Sequence, residues 1–169
     1  MASAEERFME WLRDAHAMEE QSEQMLESTS NRLENYPELR VRFETHRAVS
    51  QRHADRVRQC IERRGGSPSA IKDTAGKLMA FAQGVSGRFV GDEVVKAVLA
   101  TSTFEQMKIT SYEILNSAAK VVGDGEAQRV CEESMRDEEE MALWLEENIE
   151  PLTQTYLRRE ETPGVTAKH

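Results

Sequence analysis

The chain has 169 residues, enough for one domain that buries about two-thirds of its unfolded surface without disulfide or metal staples. Charged residues make up 31% and hydrophobic residues 38%, with only five Phe, three Tyr and two Trp, so the core is expected to be aliphatic and helical. The net charge of −9, without a dense basic cluster, argues against a nucleic-acid partner. No apolar run reaches the roughly 20 residues of a membrane span, and MASAEERFMEW lacks the basic and apolar order of a signal peptide. Cys60 and Cys131 are far apart and match no zinc spacing, so they read as buried thiols of a cytoplasmic protein.

Ser3 and Glu6 form a capping box ahead of a stripe that runs Phe8, Leu12, Ala15, Glu19, Ser22, Leu26, Thr29 and Leu33, stopped by Asn35-Tyr36-Pro37. Pro37 opens a second helix with Leu39, Phe43, His46, Ser50, His53, Val57 and Cys60 inward, ending at Gly65-Gly66. The stretch from Ser67 to Gly91 reads as a crossover with a short helix around Ile71 to Ala82, after which Asp92 caps the third helix. Its inward stripe is Val94, Val98, Thr101, Glu105, Lys108, Tyr112, Leu115, Ala119 and Val122. Past Gly123-Asp124-Gly125 the fourth helix places Ala127, Cys131, Ser134, Glu138, Met141, Leu145 and Ile149 inward as far as Pro151. A last amphipathic turn covers Leu152 to Leu157. Residues 1–160 are thus one domain, and 161–169 are expected to be a disordered tail.

Two short loops and one long connection predict an all-α, ferritin-like antiparallel four-helix bundle with a long crossover between the second and third helices. Stripe steps of three and four residues fit left-handed bundle packing.

Every inward stripe is interrupted near its middle by polar groups: Glu19, then His46, Ser50 and His53, then Thr101, Glu105 and Lys108, then Ser134 and Glu138. Buried charge costs several kcal/mol unless it is paired or ligates a metal, so four helices polar at one level imply a common partner. Glu19 and His53 are 34 residues apart and Glu105 and Glu138 are 33, as two similar hairpins around a pseudo-twofold axis would have them. Carboxylates and imidazoles from four helices suit Fe, Mn or Zn, making Glu19, His46, His53, Glu105 and Glu138 the candidate metal residues. His46 and His53 lie seven residues, or roughly 10 Å, apart along the axis and cannot share one ion. His46 is left to a second ion or an outer hydrogen bond.

Lys108 offers a metal-free account, since its ammonium can neutralise Glu19, Glu105 or Glu138. The Glu-x-x-His of two-metal bundles is absent. His16 reads as a boundary residue, the methionines as core filler, and Asp137 to Glu140 as a solvated face with Glu138 alone turned inward. Nothing frames a nucleophilic triad or a phosphate loop, and no catalytic residue is assigned.

The segments LRDAHAMEEQSEQML (Leu12 to Leu26), DEVVKAVLATSTFEQMKITSYEIL (Asp92 to Leu115) and GDGEAQRVCEESMRDEEEMALWLEE (Gly123 to Glu147) resemble the YciE/YciF family of bacterial ferritin-like proteins over roughly residues 5 to 158. The resemblance implies a ferritin-like bundle, usually dimeric, associated with stress responses. It places Glu19, Glu105 and Glu138 at the family's core carboxylates and His46 at a frequent histidine. The chain departs from the pattern at Val49 and Lys108, where acidic residues are expected, and at His53, where an amide is more usual. The expected function is accordingly that of a cytoplasmic stress-associated protein with a carboxylate, histidine and lysine core layer. Alternatives are an Fe- or Mn-dependent enzyme of peroxide or dioxygen chemistry, with Tyr112 near the ligands, and a structural dimerisation module. A homodimer is expected, with Phe8, Trp11, Phe81 and Phe89 at its interface.

Overall fold

A computed structural model describes residues 1–67 and 93–167. The expected crossover helix, the Asp92 cap and the interface residues Phe81 and Phe89 lie outside these residues. The described part is all-helical: α1 (Ala4–Ser30), α2 (Pro37–Arg63), α3 (Glu93–Val122) and α4 (Gly125–Glu160). None of these helices is long and apolar enough to cross a membrane.

Local chemistry sets the helix ends. In α1 the Ser3 hydroxyl accepts from the Glu6 amide at 3.2 Å while the Glu6 carboxylate accepts from the Ser3 amide at 2.7 Å, forming the capping box. Pro37 opens α2, where its missing N–H leaves nothing unsatisfied. Gly65 and Gly123 adopt φ of +73° and +72°, the left-handed conformation in which a helix end recovers its free carbonyls. Asp124 then caps α4, accepting from the Ala127 amide at 3.0 Å and from Arg63 and Arg64 at 2.7 and 2.8 Å.

Two apolar clusters fix the directions of the helices. One joins Phe8 and Leu12 of α1 with Val57 and Ile61 of α2, Leu115 and Ala119 of α3, and Ala127 and Cys131 of α4. The other joins Leu26, Leu39 and Phe43 with Val94, Val98, Met141 and Leu145. The start of α1 therefore lies beside the ends of α2 and α3 and the start of α4. Helices α2 and α3 run parallel to each other and antiparallel to α1 and α4, so α2 ends and α3 begins at opposite ends of the bundle. This is the ferritin-like topology. An ion pair of 2.7 Å between Arg32 and Glu93 closes the end of α1 onto the start of α3.

Several expectations change in detail. The fourth helix does not stop at Pro151 but runs to Glu160. Pro151 and Glu147, whose carbonyl loses its partner there, are both exposed, so the break falls outside the core. Ile149 points outward at 47% exposure. Phe8 is fully buried in the first cluster and cannot serve a dimer interface, whereas Trp11 is 39% exposed. Residues 162–167 turn back onto the bundle: Tyr36 donates to the Ala167 carbonyl at 2.8 Å, and Arg159 donates to the Thr166 carbonyl at 2.7 Å.

Because Asp124 serves as cap and as ion-pair partner at once, Asp124→Ala should lower unfolding stability by about 1–2 kcal/mol in a urea titration. Asp124→Asn keeps the capping oxygen and should lose less.

Candidate functional site

The polar layer lies between the two apolar clusters, where side chains at matching depths of four helices meet. Glu19, His53, Glu105, Lys108, Glu138 and Tyr112 are each 0% exposed and His46 is 3% exposed. All five candidate metal residues therefore converge, together with Lys108. Its Nζ lies 2.8 Å from Glu138 Oε2, 3.2 Å from Glu19 Oε2 and 3.6 Å from Glu105 Oε2. It also donates to Ser50 Oγ at 3.2 Å and Ser22 Oγ at 3.3 Å, and these two hydroxyls are 3.0 Å apart. The lysine is thus held by α1, α2 and α4 as well as by its own helix.

The histidines divide between two sides of the ammonium. His46 Nε2 lies 2.9 Å from Glu138 Oε2 and 3.1 Å from Glu105 Oε2. His53 Nδ1 lies 2.7 Å from Glu138 Oε1 and 3.3 Å from Glu19 Oε1, while its Nε2 meets Asp137 Oδ2 at 2.9 Å. Tyr112 donates to Glu19 Oε1 at 2.7 Å, and its ring meets the His53 ring edge-on, 6.0 Å between centroids. Among the described residues, Glu105 Oε1 and Ser134 Oγ are buried polar atoms without a hydrogen-bond partner.

Charge follows from this geometry. Burial disfavours the Lys108 ammonium, but Glu105, Glu19 and Glu138 overcome it and raise its pKa above that of a free lysine. Burial likewise opposes the His53 imidazolium, yet hydrogen bonds to Glu138 and Glu19 push its pKa up to about 9. With both ring nitrogens facing carboxylates, His53 carries two protons at neutral pH. Glu105 is raised by burial, against the pull of Lys108. Glu138 goes the other way: burial would raise it, but Lys108, Glu105, His46 and His53 hold it well below the usual carboxylate range. Tyr112 is raised by burial and by the Glu19 charge, so it stays a neutral donor.

Two trios offer ligand atoms within 4.8 Å of one another, Glu19 with His53 and Glu138, and His46 with Glu105 and Glu138. Ferritin-like two-metal bundles fill such a layer with four carboxylates and two histidines. Here only three buried carboxylates converge, and the shared Glu138 carboxylate is held by the Lys108 ammonium at 2.8 Å. As arranged, the layer does not fit a two-metal centre. It is an ion network in which Lys108 and His53 oppose Glu19 and Glu138.

A family described as a domain of unknown function, DUF892, matches residues 3–158. A solved structure of a Xanthomonas campestris pv. campestris protein is 34% identical, covers 95% of this chain and 100% of its own, and superposes with a TM-score of 0.80. The chain belongs to the YciE/YciF family. Two further structures share the fold of this YciE/YciF chain. YcfI of Rhodopseudomonas palustris is 19% identical with a TM-score of 0.70, covering 86% of this chain and 94% of its own. The E. coli stress protein YciF is 20% identical with a TM-score of 0.71, covering 88% and 96%.

The inward positions of this YciE/YciF chain followed from its stripes, but Asp137 did not. It belongs to an acidic run that reads as solvent-facing, and its side chain is indeed 37% exposed, yet it fixes the outer nitrogen of His53. The available signal was His53 itself, since a histidine at a core position needs partners on both ring nitrogens. His16, read as a boundary residue, is 7% exposed, with Nδ1 3.6 Å from Glu20 and away from the layer.

A pKa of about 9 in the folded chain, against 6.5 for an unperturbed histidine, means that His53 stabilises the fold fully below pH 6.5 and loses that contribution as pH rises through 9. Thermal melts should therefore show stability falling between about pH 6.5 and 9.5, by on the order of 3 kcal/mol at most. His53→Gln should flatten that slope. An equal slope in the variant would show that His53 is not the imidazolium of the network.

Proposed function

We propose that this chain is a stress-associated ferritin-like protein whose core holds an internal ammonium in the place where related bundles hold metal ions. The observation that carries this reading is the position of Lys108 Nζ, between both ligand trios and within 3.6 Å of all three buried carboxylates. The name of the E. coli neighbour, a stress protein, supports the association with stress. In this reading the layer is a structural ion network that sets the register of four helices, and the protein acts through its folded surface rather than through redox turnover.

A second reading, a single Fe or Mn ion serving peroxide or dioxygen chemistry, draws on Glu19, His53 and Glu138, whose ligand atoms already lie within 4.8 Å. The hydrogen bond from His53 Nε2 to Asp137 matches the carboxylate partner that metal-bound imidazoles usually have. It requires His53 to give up a proton at Nδ1 and the ammonium to leave Glu138.

Elemental analysis of protein purified without chelators separates the two. Less than one ion per chain is expected; one tightly held Fe or Mn ion per chain would favour the second reading, and two would overturn the ammonium reading outright. Lys108→Met should cost on the order of 3 kcal/mol, because carboxylates are left uncompensated in the core. Lys108→Glu should be less stable still in metal-free buffer, yet regain stability when Mn or Fe binds the folded state. A Lys108→Glu variant that melts at the wild-type temperature and ignores metal would refute the assignment.

A further inference from the structure

The apolar cluster around Phe8 contains two nucleophilic groups that the polar layer does not use. Cys60 of α2 and Cys131 of α4 are free thiols, 1% and 2% exposed, and both belong to that cluster. Their places along the seam between α2 and α4 follow from the register of these antiparallel helices. His53 of α2 meets Glu138 of α4 at 2.7 Å. Seven residues, or about two turns, carry α2 from His53 to Cys60 and carry α4 back from Glu138 to Cys131. Equal steps in opposite directions return both helices to the same faces, so the thiols repeat the pairing of His53 with Glu138 about 10 Å nearer the end of the bundle. Ion pairs bracket that level, Arg56 with Glu133 at 3.4 Å on one side and Arg63 with Asp124 at 2.7 Å on the other.

Electrostatics and side-chain size agree with this register. Burial first, and then the charge of Cys60, push the Cys131 thiol up to about 12, an influence that neighbours exert across a weakly screened interior. Ala127 and Ser134 lie about one turn to either side of Cys131 and are buried, so this part of α4 carries little bulk and its backbone can approach α2. A disulfide needs such an approach, with Cα atoms about 4.4–6.8 Å apart.

The two thiols are not alike. Burial raises Cys60 too, but the exposed Arg63 guanidinium one turn along the helix draws it down. Every charge acting on Cys131, from Cys60, Asp124 and Glu132, raises it. Cys60 is therefore the thiol that ionises first and the better nucleophile at neutral pH.

We propose that Cys60 and Cys131 are an oxidisable pair that joins α2 to α4 by a disulfide when the chain meets hydrogen peroxide. The Cys60 thiolate attacks the peroxide O–O bond, forming a sulfenic acid and expelling hydroxide, which takes up the thiol's proton as water. The Cys131 sulfur then attacks the sulfenic sulfur: the S–S bond forms, the S–O bond breaks, and the Cys131 proton leaves with the hydroxyl as a second water. Two thiols lose two electrons and one peroxide is reduced to two waters. Because burial keeps the thiolate scarce, closure is slow and registers sustained exposure instead of a brief pulse. None of this depends on Lys108 or on a metal.

The test treats the full reduced chain with millimolar hydrogen peroxide, then quenches, unfolds and alkylates it. The expected product is a monomer about 2 Da lighter that takes up no alkylating agent and yields a linked Cys60 and Cys131 peptide pair in a non-reducing digest. The bond closes a loop containing all of α3, so the melting temperature should rise by roughly 10 °C and fall back with dithiothreitol. Cys131→Ala should stop at oxygen adducts on Cys60, about 16 Da for each oxygen, with no rise in melting temperature. Diamide, which oxidises thiol pairs without adding oxygen, should give the same bond in the wild-type chain. Two alkylatable thiols after both oxidants overturn the proposal. So does a covalent dimer in place of the internal bond, and so does sulfinic acid on both cysteines.

Discussion

The fold is organised around a buried ammonium. A lysine ammonium placed in an apolar core is strongly disfavoured, and only nearby carboxylates with matched geometry make it tolerable. Lys108 has three, contributed by α1, α3 and α4, and two hydroxyls from α1 and α2. No single helix can supply that shell. The network is therefore satisfied in one register of the bundle, and sliding any helix by a turn would strand a charge in the core. Replacing such a layer with apolar residues can leave stability unchanged or higher, so its effect is better assigned to specificity than to net stabilisation.

The charges within the layer are interdependent. Three buried carboxylates around one ammonium leave an excess of negative charge, and the structure disposes of it in two ways. His53 takes a second proton because Asp137 and Glu138 sit at opposite nitrogens. Glu105, with one oxygen unpartnered and its pKa raised by burial, is the carboxylate that tolerates protonation most readily. Glu138 can then remain ionised as the common anion, in contact with Lys108, His46 and His53. A metal ion would perform the same neutralisation with a larger charge. The lysine does so with a tethered one that cannot dissociate.

The sequence made most of this legible because burial and helical period coincide. Glu19, Ser22, His46, Ser50, His53, Glu105, Lys108 and Glu138 all fall on three- and four-residue steps set by Leu, Phe and Val neighbours, and all are buried. Interactions that run across those stripes were hidden. Asp137 lies one residue from the inward Glu138, and nothing in local spacing tells a solvated acid from one that reaches sideways to another helix. Pro151 reads as a stop signal, but its effect depends on whether the carbonyl one turn earlier can reach water, which is a property of the packed bundle. Phe8 heads an inward stripe, and its full burial follows that stripe rather than the expectation that it lies at a dimer interface.

The same distribution of charge explains why α3 differs from its neighbours. Helix α3 carries only six charged residues, of which Glu105 and Lys108 are buried, and Leu99, Thr103, Thr110, Ile114 and Val121 are among its exposed positions. In α1, α2 and α4 the charged residues lie mainly outside and form surface pairs such as Arg7 with Glu10, Arg40 with Glu44 and Arg129 with Glu133. Exposed pairs of that kind contribute little stability each, about 0–1 kcal/mol. Their larger effect is to keep those faces hydrated and apart from other acidic molecules. Among the four described helices, one therefore carries both the ammonium that fixes the interior and the fewest surface charges.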